Sequence, residues 1–250
     1  MKHDFEDIEI KLDAPRILDE QLRRKRKKGM IFTGSMCDPY IHLENELQYT
    51  RQCLSVIEKH GFGVAVLTKS ERILRDIDLL KNINTKARCV VQVTLTTYDD
   101  DLCRIIEPNV STTSERFRIL EEMKNENIPT VVWLCPVLPF INDTEENLRG
   151  ILNYCVNAEV KGILCFGFGV TLREGDREYF YEKLDEHFPG IKEKYIQRYG
   201  NAYECRSPNS KRLMEIFKAE CKEHNIMYDT NEVFAYLREF GTKTKQTSLF

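Results

Sequence analysis

Short apolar runs and longer amphipathic runs alternate along most of this chain. Residues 30–33, 62–68, 89–95, 129–134 and 162–168 are apolar stretches of strand length. They lack the polar alternation of a solvated sheet face, so they predict strands buried on both sides. Between them lie stretches of helical period. The first covers 14–28, with Ile17, Leu18 and Leu22 on one face. The next cover 45–60 and 71–83, followed by 99–106, 114–127 and 145–160. Gly29 and Gly61 stand where the first two of these helices should stop. After Gly169 the alternation ceases, and helices are expected over 176–199, 209–225 and 231–240.

Five strands separated by helices predict an α/β fold of parallel strands with right-handed crossovers. Five are too few to close an eight-stranded barrel, which leaves a partial (β/α) barrel or an open doubly wound sheet. The expected organisation is a barrel core over 1–170 and a helical C-terminal extension over 171–240 packed on it. A flexible tail over 241–250 follows.

At 250 residues and 42% hydrophobic, the chain is long enough for one substantial core. A net charge of -3 leaves any nucleic-acid partner dependent on a local basic patch. The strongest such patch is Arg23, Arg24, Lys25, Arg26, Lys27 and Lys28. It reads either as a phosphate-binding run or as a solvated helix end favoured by the helix dipole. Nine cysteines are scattered with no two closer than ten positions, which excludes a compact cluster-binding or zinc loop within this sequence. Scattered thiols and the lack of a secretory pattern point to a cytoplasmic location. No apolar run reaches the length of a membrane span.

Candidate chemistry collects where strands stop. Gly34-Ser35-Met36-Cys37 follows the first strand, and Lys69 the second. Thr94 and Thr96 end the third, and Asn142 lies beyond the fourth. The Gly34-Ser35 turn can offer backbone amides to a carboxylate or phosphate, or simply turn the chain. Lys69 can neutralise a ligand carboxylate, or sit in water at the rim. Cys37 is the thiol expected to be exposed, and a thiol can donate a hydrogen atom without ionising. The final Gln246-Thr247-Ser248-Leu249-Phe250 resembles the peptide that repair and replication proteins dock in the bacterial sliding clamp, with Gln246, Leu249 and Phe250 as anchors.

Taken in order, several motifs resemble the radical SAM superfamily, and within it the spore photoproduct lyase or DNA-repair photolyase-like group. They are Gly34-Ser35-Met36-Cys37-Asp38-Pro39-Tyr40, Leu67-Thr68-Lys69-Ser70, Thr94-Leu95-Thr96-Thr97, Ile106-Glu107-Pro108, the segment from Pro136 to Asp143 and that from Gly169 to Gly175. The resemblance implies a partial (β/α)6 barrel with five βα units represented here. It implies S-adenosylmethionine bound against a [4Fe–4S] cluster, and cleavage of that cofactor to a 5′-deoxyadenosyl radical. Carried over by position, Gly34 and Ser35 would meet the methionine moiety and Lys69 its carboxylate. Thr94 and Thr96 would face the ribose, and Asn142 the ribose or adenine. Cys37 would be the hydrogen donor. The family's CxxxCxxC cluster loop is absent from this sequence. On the family's pattern that loop and the strand before it would precede Met1. The chain alone is therefore expected to hold no cluster, generate no radical and leave the edge of residues 30–33 open.

Two further readings stand beside this one. The chain could be a cluster-less module that binds nucleic acid through Arg23–Lys28 and a sliding clamp through its tail. It could also be a different barrel enzyme that holds a phosphorylated ligand at Gly34 and Lys69.

Overall fold

The computed structural model describes residues 8–241. The clamp-like peptide with Gln246, Leu249 and Phe250 lies outside the described residues. Strands β1 (Met30–Thr33), β2 (Gly63–Thr68), β3 (Cys89–Thr94), β4 (Thr130–Trp133) and β5 (Gly162–Leu164) form one sheet in sequential order. Every pair in it is parallel. Among the described residues β1 is an outer strand, paired to β2 alone, and its Phe32 is exposed.

Residue parity along the strands sorts two cores. Val64, Val66, Val91 and Val93 face the outer helices and join Leu54, Ile57, Leu80, Ile119 and Ile151. These side chains come from α3 (Tyr49–His60), α4 (Ile77–Lys86), α6 (Thr113–Asn125) and α7 (Glu145–Asn157). Val90, Val131 and Leu164 face the other way. There α11 (Thr230–Arg238) covers them with Val233 and Leu237. Asp229 starts that helix by accepting from the amides of Asn231 and Glu232.

Several elements differ from the sequence expectation. α1 (Ala14–Arg24) ends four residues before the basic run does. Lys25 is extended, and its amide turns back to the Leu22 carbonyl. The expected helix over 45–60 is α2 (Glu44–Leu47) and α3, divided at Gln48 with φ +51. The buried Glu44 carboxylate accepts from the Thr50 amide at 3.1 and 3.2 Å, which caps the start of α3 at its own N-terminal turn. A 3-10 turn over Glu71–Asp76 precedes α4. Between β3 and α6, α5 (Asp100–Ile106) does match the helix expected over 99–106.

Beyond the sheet, β6 (Gly169–Thr171) pairs antiparallel with β7 (Glu204–Arg206). This pair closes off α8 (Asp176–His187) and α9 (Ile191–Tyr199), which Pro189-Gly190 separates. Leu172, Leu184, Tyr195 and Cys205 give this excursion a small core of its own, against Phe140 and Ile141. The chain then returns through α10 (Ser210–Glu223), which packs on α7.

Candidate functional site

The C-terminal ends of β1–β5 form one rim, and its pieces are tied to each other. Asp38, in the loop after β1, accepts from Thr68 Oγ1 at 2.8 Å and from the Lys69 amide at 2.7 Å. It also accepts from the Tyr40 amide at 2.8 Å. One carboxylate thus joins the tips of β1 and β2. Gly34 lies in the same loop with φ +98, and a Cβ there would sit 1.9 Å from the Leu67 carbonyl oxygen. Glycine is required at this point for close approach to β2, a role separate from holding a ligand.

Lys69 is not free at this rim. Its ammonium bonds to Glu107 Oε1. Glu107 Oε2 accepts from Thr96 Oγ1 at 3.0 Å and from Arg116 Nη1 at 2.8 Å. Arg116 is fully buried, and it also donates to the carbonyls of Ser111 at 2.8 Å and Thr94 at 3.1 Å. Burial pushes the Glu107 carboxyl up, but Arg116 and Lys69 outweigh it and hold it below the ordinary glutamate range. Glu107 is therefore ionised at neutral pH, and the Lys69–Glu107–Arg116 group carries one surplus positive charge.

The remaining expected residues divide. Thr94 and Thr96 are buried at the tip of β3, beside this group. Ser35 and Cys37 are exposed on the β1 loop, and the Cys37 thiol lies against the Asp38 carbonyl at 3.8 Å. Asn142 is not on the open rim. Its Oδ1 accepts from the Leu138 amide at 2.6 Å and its Nδ2 donates to the Thr96 carbonyl at 2.8 Å, so its amide holds the β4–α7 loop in place.

Two cavities adjoin the rim and share Phe166, Gly167 and Arg206. One, of about 400 Å³, lies between the tips of β4 and β5 and the β6–β7 pair, with Cys135 and Pro136 in its wall. Burial pushes the Cys135 thiol up to about 11, against an opposing pull from Lys69. The other, of about 780 Å³, reaches α10 and α11 and is lined by Arg206, Lys211, Lys218, Met214 and Tyr228. Lys211 and Lys218 carry no carboxylate partner among the described residues. Phe166 stands 58% exposed between the two spaces, and Gly167 turns the chain there with φ +115.

A Radical SAM superfamily model matches residues 4–152, more than half of the chain. The chain belongs to the radical SAM superfamily. An uncharacterized protein of Mycobacterium tuberculosis is 25% identical to this radical SAM chain over 193 residues, 77% of the chain and 56% of that protein. An uncharacterized protein of Methanocaldococcus jannaschii is 29% identical over 128 residues, 51% of the chain and 48% of that protein. The chain thus spans about half the length of the curated relatives it matches. Among solved structures, spore photoproduct lyase matches with a TM-score of 0.60 at 10% identity, over 88% of this chain and 66% of that one. A domain of pyruvate-formate lyase-activating enzyme from Bacteroides vulgatus matches with a TM-score of 0.51 at 10% identity, over 81% of this chain and 98% of that one. These likenesses establish the radical SAM α/β fold, with its partial barrel.

The family implies S-adenosylmethionine and an iron–sulfur cluster, and the residues present treat the two differently. The rim offers the partly accessible Lys69 ammonium, and a cavity of ligand size stands beside it with the face of Phe166 in its wall, features that suit an amino-acid nucleoside. A cluster needs thiolates gathered in one place. Among the described residues, one group of His, Cys, Asp or Glu converges closely enough to hold an ion. It is Glu220, Glu223 and His224 on α10 and its C-terminal end, without a thiol. The described residues do not fit a cluster.

Sequence reasoning passed over Cys135, Phe166, Glu107 and Arg116 as site residues. Cys135 and Phe166 follow β4 and β5 closely, so the strand-tip rule that selected Lys69 applies to them as well. Arg116 shares the buried face of α6 with Thr113 and the apolar Ile119, Leu120 and Met123, the signature of a buried cation in need of an anion.

Proposed function

We propose that this chain is the S-adenosylmethionine-binding body of a radical SAM enzyme, with cluster ligands supplied from outside this sequence. The reading rests on one observation: Cys135, Pro136 and Phe166, just beyond the ends of β4 and β5, line a cavity of about 400 Å³ on the same strand-end rim that carries Lys69, Thr94 and Thr96. In it, Lys69 takes the methionine carboxylate, the β3 threonines face the sugar, and Phe166 with Pro136 offers a surface for the base. α11 covers the inner face of the sheet at Val90, Val131 and Leu164.

The substrate proposed is a damaged nucleic acid, handled in a lyase-like reaction. The cavity of about 780 Å³ supports this with Arg206, Lys211 and Lys218 for phosphates and Phe166 and Tyr228 for a base. Titration of the 250-residue chain with S-adenosylmethionine by calorimetry tests the reading. Saturable one-to-one binding is expected, and K69M should weaken it. Heat identical to buffer dilution would remove the proposal. The alternative, a module that binds nucleic acid without cofactor chemistry, draws on the run Arg23–Lys28, which has no carboxylate partner among the described residues. It would be favoured by nucleic-acid binding in a chain that ignores S-adenosylmethionine.

A further inference from the structure

The Lys69–Glu107–Arg116 group contains a carboxylate that, at first sight, works against anion binding. Glu107 occupies the ammonium that the proposed ligand needs. The geometry resolves this. Glu107 has two oxygens and divides them, one to Lys69 and the other to Arg116 and Thr96. Arg116 cannot leave, because it is fully buried and also held by two backbone carbonyls. The charge of Glu107 is thus already matched by Arg116, and the bond to Lys69 leaves that lysine's positive charge uncancelled. An ammonium has three donors. One is spent on Glu107, which leaves two, and the side chain is still 34% accessible.

We propose that Glu107 is a positioning residue, anchored by Arg116, that holds the Lys69 ammonium over the β3 tip to receive a ligand carboxylate. A free lysine would lose side-chain entropy on meeting the ligand, whereas this one is restrained beforehand. The inference rests on the reading that S-adenosylmethionine binds at this rim, and it assigns the carboxylate end of that ligand to a three-residue device.

The test compares two ligands on the full chain by calorimetry. S-adenosylmethionine has the aminocarboxylate, and 5′-methylthioadenosine keeps the nucleoside without it. In E107Q the local charge becomes more positive by one unit, so an electrostatic effect alone predicts tighter binding of the carboxylate ligand. Loss of positioning predicts the reverse. Affinity for S-adenosylmethionine should fall about tenfold, the scale of one charge-assisted hydrogen bond, while methylthioadenosine changes by less than about twofold. The loss should vanish in the K69M background, since Glu107 acts only through Lys69. Should E107Q fail to fold, E107D keeps the charge that Arg116 needs but withdraws it from Lys69, and a smaller loss of the same selectivity is expected. Unchanged or tighter binding of S-adenosylmethionine, or equal losses for both ligands, would overturn the assignment. A wild-type chain that binds neither ligand overturns the cofactor reading itself, a result distinct from these.

Discussion

Arg116 is fully buried, and its guanidinium is committed to Glu107, Ser111 and Thr94. Replacing it by Met leaves the Glu107 carboxylate with Lys69 as its one cation and the Thr96 hydroxyl as its other partner. R116M is expected to cost about 3–5 kcal/mol in urea unfolding, the scale for breaking a buried ion pair from one side. The pH dependence follows from the same ion pair. The folded carboxyl of Glu107 lies below its ordinary value, so its stabilisation is fully present above the unfolded pKa of about 4.3. It is lost as the pH falls through the lower folded value. E107Q should flatten the acid limb of a stability–pH curve, and an unchanged limb would count against this. Lys69, Thr94 and Thr96 were legible in the sequence because each stands at a strand end. Glu107 and Arg116 were not, because a loop residue and a helix residue meet only once α5 and α6 fold over β3.

At the level of elements, the five strands of the sheet were legible because apolar runs of strand length, bounded by turns, leave few alternatives. The three-residue strands β6 and β7 were not, since Gly169–Thr171 finds its partner only after two intervening helices. The expected long helices at 45–60 and 176–199 broke where local chemistry outcompetes periodicity, at the Glu44 cap and at Pro189-Gly190. Two measurements probe element junctions. G34A must fit a Cβ against the Leu67 carbonyl at positive φ. It should destabilise the chain by about 2–4 kcal/mol, read by urea unfolding, from combined strain and clash. The second concerns Asp143, which accepts from Ser207 Oγ at 2.5 Å and fastens the β4–α7 loop to the segment after β7. Burial raises its carboxyl. A raised acid stabilises the fold less as the pH climbs through its folded value. Amide exchange across α8 and α9 should therefore speed up, as the pH climbs from the unfolded pKa of about 3.9 through the higher folded value, by more than intrinsic exchange accounts for, and D143N should remove the excess.

Across the whole molecule, the rim and the basic run lie at opposite ends of the sheet. Lys25–Lys28 lead into the start of β1, whereas Lys69 and the cavities lie beyond the strand ends. A six-residue strand such as β2 separates the two by about 20 Å. A nucleic acid that touches both must pass around the flank of the barrel. Since α1 stops at Arg24, the helix dipole accounts for two of the six cations and leaves four in an exposed turn. On the alternative reading, in which this run holds nucleic acid, changing Lys25, Arg26, Lys27 and Lys28 to Gln is expected to weaken that binding. It should also flatten the dependence of log K on log salt by about 0.7–0.9 for each phosphate that the variant no longer neutralises. A slope that does not move would mean the run takes no part. The helix α11 carries a last consequence, because Val233 and Leu237 seal the inner face behind Val90 and Val131. That side of the sheet is walled by α11. On the proposed reading, a ligand seated at the strand ends would come and go past the rim, and a product slow to leave would delay the next arrival.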